Sequence, residues 1–147
     1  MTSAFHAIAE RIVAALVAAP ALADGRVFIK RLRPLPVGVA TAIVVRWEQS
    51  AAQENVLGAH DWATPFVVEC YSRGDALDPD NLAADALLVE AWARLAVLDA
   101  SALGVMALSV SPSLDWQTVE ADTPAECVSI RLGVQHRTPV ASLNAWS

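Results

Sequence analysis

The stretch Ala125-Glu126-Cys127-Val128-Ser129-Ile130-Arg131-Leu132-Gly133-Val134-Gln135-His136-Arg137 decides the fold class. Val128, Ile130, Leu132 and Val134 recur at every second position, with Ser129, Arg131 and Gln135 between them. A period of two puts alternate side chains on opposite faces of an extended chain, so one face is buried and the other polar. The run predicts a half-buried β-strand over 125–137 and a sheet around it.

Upstream segments supply the partners. Residues 63–72 carry Phe66, Val68 and Cys70 on one face and Val67, Glu69 and Tyr71 on the other. Residues 42–48 alternate Ile43, Val45 and Trp47 against Val44, Arg46 and Glu48. A strand over 26–33 ends at Pro34 and Pro36, because proline brings no N–H to a ladder. A short strand is expected over 105–110, followed by a loop through Pro112, Trp116 and Pro124. Residues 49–60 show neither periodicity and predict a loop of about a dozen residues, a length at which functional loops concentrate.

Two segments have helical spacing instead. Phe5, Ile8, Ile12 and Leu16 stripe a helix to about Ala19, which Thr2 or Ser3 can cap and Pro20 ends. Its apolar run 12–19, followed by Ala21-Leu22-Ala23, imitates a targeting signal, but Glu10 and Arg11 directly precede it. We read a buried amphipathic helix. Leu88, Trp92 and Leu95 stripe a second helix, opened by Asp78-Pro79 and running to about Ala100. The order α-β-β-β-α-β-β predicts an α+β fold, a mostly antiparallel sheet with two helices packed on one face. One domain over 1–137 with a short tail over 138–147 is expected. Apolar residues on both faces of the first three strands imply that a subunit contact covers the helix-free side.

Composition narrows the function classes. Charged residues are 18% of the 147, below the 25% or so of a typical soluble domain, and five tryptophans accompany them. A net charge of −6 argues against gripping phosphates, which needs a basic footprint. No run approaches the roughly 18 apolar residues of a membrane span. Cys70 and Cys127 read as reduced core residues.

The chemical motifs fail one by one. His6, His60 and His136 belong to no H-x-x-x-H or Cys-His cluster, so no zinc site is indicated. His60-Asp61 is a pair of the kind some metal-dependent phosphohydrolases use, yet further ligands are missing around it. Asp75, Asp78 and Asp80 form an acidic cluster, but a calcium loop begun at Asp78 would place Leu82, Ala83 and Val89 at positions five, six and twelve. Helix capping explains it better. No nucleophile elbow or glycine-rich phosphate loop occurs. The surface residues stand out more. Arg26, Lys30, Arg31 and Arg33 make the one positive cluster, suited either to blunting a sheet edge or to meeting an acidic neighbour. Trp62, Trp116 and Trp146 lie outside the expected regular elements and are candidate interface anchors.

The strings Arg26-Val-Phe-Ile-Lys-Arg-Leu-Arg-Pro-Leu-Pro36, Ala42-Ile-Val-Val-Arg-Trp47, Asp61-Trp62 leading into Val67-Val-Glu-Cys-Tyr-Ser-Arg-Gly74, and the closing His136-Arg137-Thr138 carry a resemblance. Together with the element order, they resemble the tail terminator (tail completion, lambda minor tail protein U-like) proteins of phages and prophages. The resemblance implies a homo-oligomeric, hexameric ring that caps the tail tube at its head-proximal end in the virion. It is made in the bacterial host's cytoplasm and offers a surface to a neck or head-completion protein. It implies no cofactor, metal or reaction. DNA would pass through the lumen without sequence-specific binding, and no membrane is involved. On this reading the subunit or tube interface draws on Arg26, Lys30, Arg31, Arg33, Trp47, Val56, Leu57, His60, Asp61, Trp62, Trp116 and Trp146. The Trp-bearing tail 138–147 departs from the family pattern. A neck connector, or a small metal-dependent hydrolase using His60 and Asp61, is the alternative.

Overall fold

The computed structural model describes residues 2–30, 38–54, 58–74, 77–119 and 124–144. Helix α1 (Ala4–Val17) starts at Ser3, whose hydroxyl accepts the His6 N–H at 3.3 Å. That satisfies one of the donors a helix leaves open in its first turn. A 3-10 turn (Leu22–Gly25) then leads into β1 (Val27–Ile29). The chain continues through β2 (Thr41–Trp47), β3 (Ala51–Glu54), β4 (Ala59–Ser72), α2 (Leu82–Ala96), α3 (Ala100–Leu103), β5 (Ala107–Val119) and β6 (Ala125–Pro139).

Among the described residues these strands form one six-stranded sheet, ordered β1-β2-β4-β6-β5, with β3 also on β4. The β1–β2 pairing is parallel, and the others are antiparallel. Strands β4 and β6 pair along their whole lengths, from Ala59 opposite Pro139 to Ser72 opposite Glu126. They are the spine of the sheet. Both long helices lie on one face. Ile8, Ile12 and Leu16 of α1 and Leu87, Leu88, Ala91 and Leu95 of α2 pack on Ile43, Val45, Phe66, Val68, Ile130 and Leu132. Each fully buried aliphatic side chain there contributes about 1.5–3 kcal/mol of transfer free energy. The architecture is the α+β arrangement that the periodicities predicted.

Several local expectations change. The segment 49–60 is not one long loop. Residues 51–54 pair with 60–63 as β3 on β4, so β2 and β3 line up along β4 and 41–72 is a long hairpin. Two alanines followed by Gln53 and Glu54 give no alternation, which hid this strand, since its side chains are all exposed. Trp62 and Thr138 lie inside β4 and β6 rather than in a loop and a tail. Trp116 likewise lies in β5, which runs through Pro112. A bulge sets the five residues from Val110 to Leu114 of β5 against the three from Leu132 to Ile130 of β6. An edge strand at a bulge accommodates proline.

Helix α2 starts at Leu82, three residues later than Asp78-Pro79 predicts, although the Asp78 carboxylate still accepts the Leu82 and Ala83 N–H groups at 2.8 and 2.9 Å. The helix also ends at Ala96, and 100–103 is a separate turn begun by Asp99. The C-terminus of α1 has a partner that no local motif announces. Arg94 of α2 donates to the carbonyls of Ala15, Leu16, Ala18 and Pro20, supplying a cation where the helix dipole is negative.

Candidate assembly surfaces

The helix-free face is not a bare apolar surface. Its rows, read across the strands, run Ala42–Tyr71–Cys127, then Val44–Glu69–Ser129, then Arg46–Val67–Arg131. Val44, Val67, Tyr71 and Cys127 are buried within the chain itself. Val67 is flanked in register by Arg46 and Arg131, whose aliphatic stems can lie over it while their charged ends stay wet. Those ends are joined by carboxylates. Arg46 meets Glu69 at 2.9 Å and Glu48 at 3.1 Å, and Arg131 meets Glu48 at 2.8 Å. Arg131 and Arg46 together hold the Glu48 carboxyl below its ordinary range. Tyr71 donates to the second Glu69 oxygen at 3.2 Å. The expectation that this face needs a subunit to hide apolar residues is therefore corrected: they are buried within the chain, Val44, Tyr71 and Cys127 as a second small core with Val119 packed against it.

The sequence-derived interface residues separate into groups. Arg26 is held in place, with its Nε donating to the Thr41 carbonyl at 2.8 Å and its guanidinium near Asp24 at 3.4 Å. Lys30 leaves β1 in the left-handed region, at φ 48°, and its Nζ sits 3.5 Å from the centre of the Trp47 ring. A cation over an indole face is attracted by the ring quadrupole. Trp47 and Trp62 belong to an aromatic cluster at one end of the core. Phe5 lies 6.4 Å from Trp47, 5.2 Å from Trp62 and 4.8 Å from His136, and Phe66 is 5.9 Å from Trp47. The Trp62 indole N–H donates to Thr138 at 2.9 Å. Trp116 behaves differently: it is 54% exposed, on β5. Arg31, Arg33, Val56, Leu57 and Trp146 lie outside the described residues.

The structure separates His60 from Asp61. As neighbours on β4 they point to opposite faces. His60 stands edge-on to Trp62 at 5.9 Å, while Asp61 takes a two-point contact from Arg137 at 2.5 and 3.1 Å. Among the described residues no group of three or more His, Cys, Asp or Glu side chains is placed to hold a metal. Burial pushes the Cys70 thiol up to about 12 and the Cys127 thiol up to about 11, so both are poor nucleophiles. His136 is buried with its Nε2 2.8 Å from the Thr64 hydroxyl, and desolvation lowers it to about 4. It is a neutral core residue at neutral pH.

The fold is similar to that of a virion protein. The chain matches one in the virion of a native gene transfer agent particle with a TM-score of 0.50 and 14% identity, over 90% of this chain and 91% of that one. At such identity the likeness is one of fold. No family model and no curated protein matches the sequence.

Two exposed surfaces were not foreseen from the sequence, and each bears on a chain of this fold. Helix α2 buries Leu87, Leu88, Ala91 and Leu95, while its outer side exposes Leu82, Val89 and, just past its end, Val97 beside Asp85 and Glu90. Strand β5 is a sheet edge of thirteen residues in which Asp115 is the lone charge. The signal was present, since Leu108, Val110, Leu114 and Trp116 all fall on even positions. Taking Pro112 as a strand breaker concealed it.

Proposed function

We propose that this chain is a structural protein of a phage-type virion, and within that class a tail terminator. Subunits would close into a ring, hexameric in the family the sequence resembles. The ring would end polymerisation of the tail tube and present a joining surface to a neck or head-completion protein. The observation that carries the proposal is the fold likeness to a gene transfer agent virion protein across nine-tenths of each chain. The strings around Arg26–Pro36, Ala42–Trp47 and Asp61–Gly74 favour the terminator within that class. A net charge of −6 suits a lumen past which DNA slides without adhering.

Removing the gene from a particle-producing strain tests the role. Electron microscopy should show tails of uncontrolled length and few particles joined to heads. Tails of normal length on normally joined heads would overturn the proposal. Normal tails detached from heads would assign the chain to the neck instead.

A further inference from the structure

Arg11 of α1 is held at the end of α3. Its guanidinium lies over Gly104, the left-handed residue at φ 65° that closes α3, so closely that a Cβ there would strike it. One terminal nitrogen donates to the Leu103 carbonyl. Among the described residues the rest of the guanidinium has no hydrogen-bond partner, and no carboxylate pairs with it. The same side chain lines a cavity of about 230 Å³, walled by Ala7, Ile8, Val105 and Met106 and by His136. His136 is buried and its Nδ1 has no hydrogen-bond partner, so the wall holds a second polar group unmet within the chain. Arg137, also in the wall, is already taken up by Asp61. Small-molecule pockets run to roughly 300–1,000 Å³, so this recess suits a side chain better than a cofactor.

The outer side of α2 has the complementary make-up. Leu82, Asp85 and Val89 are spaced three and four apart, so they are neighbours on one face of the helix. Leu82 and Val89 are exposed, which leaves an acid between two apolar side chains in solvent. Glu90, next to Val89, is exposed as well. Among the described residues neither the Asp85 nor the Glu90 carboxylate has a hydrogen-bond or ion-pair partner.

We infer that this recess takes the outer side of α2 from a second copy of the chain, with Val89 in the cavity and the Asp85 and Glu90 carboxylates beside Arg11; the contact belongs to the ring proposed above and rests on that reading. Charge chooses the occupant. The apolar recess carries a guanidinium without a counter-ion, and the apolar face of α2 carries carboxylates without one, so each supplies what the other lacks. Two α2 faces brought together would gather only carboxylates, because Arg94 is turned to the end of α1. Two recesses would gather only guanidinium groups. A contact between unlike patches leaves one of each open on a pair of copies, and it closes into a ring when its rotation allows.

Single-cysteine cross-linking tests the contact, because the native Cys70 and Cys127 are buried. Full-length V89C and M106C, both at exposed positions, would be mixed and treated with a short bis-maleimide, with the mass in solution measured in parallel. Covalent dimer in the mixture, and in neither variant alone, is the expected result. D85K/E90K should cut the assembled fraction severalfold while leaving the melting temperature of the subunit unchanged, and adding R11E in the same chain should restore assembly. Should R11E itself unfold α3, the cross-link still decides, since it leaves Arg11 in place. Dimer from V89C alone, or a ring of normal mass with no cross-link in the mixture and no effect of D85K/E90K, would overturn the inference while leaving the ring intact. A chain that stays monomeric at high concentration would remove the ring and the inference together.

Discussion

At the residue scale, long side chains from distant positions complete what local sequence leaves open. Arg94 shows this well. It reaches from α2 to four carbonyls at the end of α1, and no capping motif near Pro20 announces it. Replacing it with alanine should cost about 2 kcal/mol, since hydrogen bonds from a charged donor contribute about 1.5–3 kcal/mol and part of this site is wet. Denaturant titration of Arg94→Ala checks it, and an unchanged midpoint would mean that water caps α1 equally well. His136 gives a pH signature. Its folded pKa is lowered to about 4 from an ordinary 6.5, so the unfolded chain binds more protons between those values. Stability from its neutral burial is complete above pH 6.5 and is lost as pH falls toward 4, by at most about 3 kcal/mol. His136→Gln should flatten that slope in melting curves from pH 7 to 4.5. Equal slopes in both proteins would contradict the assignment.

At the element scale, what was legible in the sequence depended on burial. Strand β6 and the second half of β4 alternate because one face of each meets the helices, and the pattern gave their register on sight. Strand β3 was not legible, because its side chains are all exposed and nothing apolar marks its period. Of the candidate site, Trp47 and Trp62 turned inward into the aromatic cluster, while Trp116 remained outside. A tryptophan's place between core and surface depends on packing from distant segments, here Phe5 of α1, which one strand's sequence does not contain. The hairpin also refines how the segment 55–58 can be probed. Glu54 pairs with His60, so side-chain substitutions that keep the chain length between them probe the segment without changing that register. Substituting Val56→Ser with Leu57→Ser should keep stability within about 0.5 kcal/mol, as for most surface changes. It should also reduce incorporation into particles severalfold, read by immunoblot of purified virions. Full incorporation would exclude a contact role for these two side chains.

At the scale of the whole molecule, the surfaces that remain after folding matter more than any pocket. On the helix-free face Val44, Val67, Tyr71 and Cys127 are buried within the chain beside the ladder of Arg46, Glu48, Glu69 and Arg131, which removes the apolar argument for a subunit packed there. What remains is the exposed Leu82, Val89 and Val97 along and just past α2, and Trp116 on β5. Pairs that are about one-third exposed are worth little individually and weaken in salt, so the ladder shapes a surface more than it stabilises one. The central claim is that these surfaces join copies of the chain into a ring. Light scattering of the purified protein, alone and mixed with tail tube protein, measures it most directly. The account predicts a species near 94 kDa, six times the 15.6 kDa chain, alone or once tube protein is added. A particle that stays at 15.6 kDa at high concentration and does not change with tube protein would contradict it.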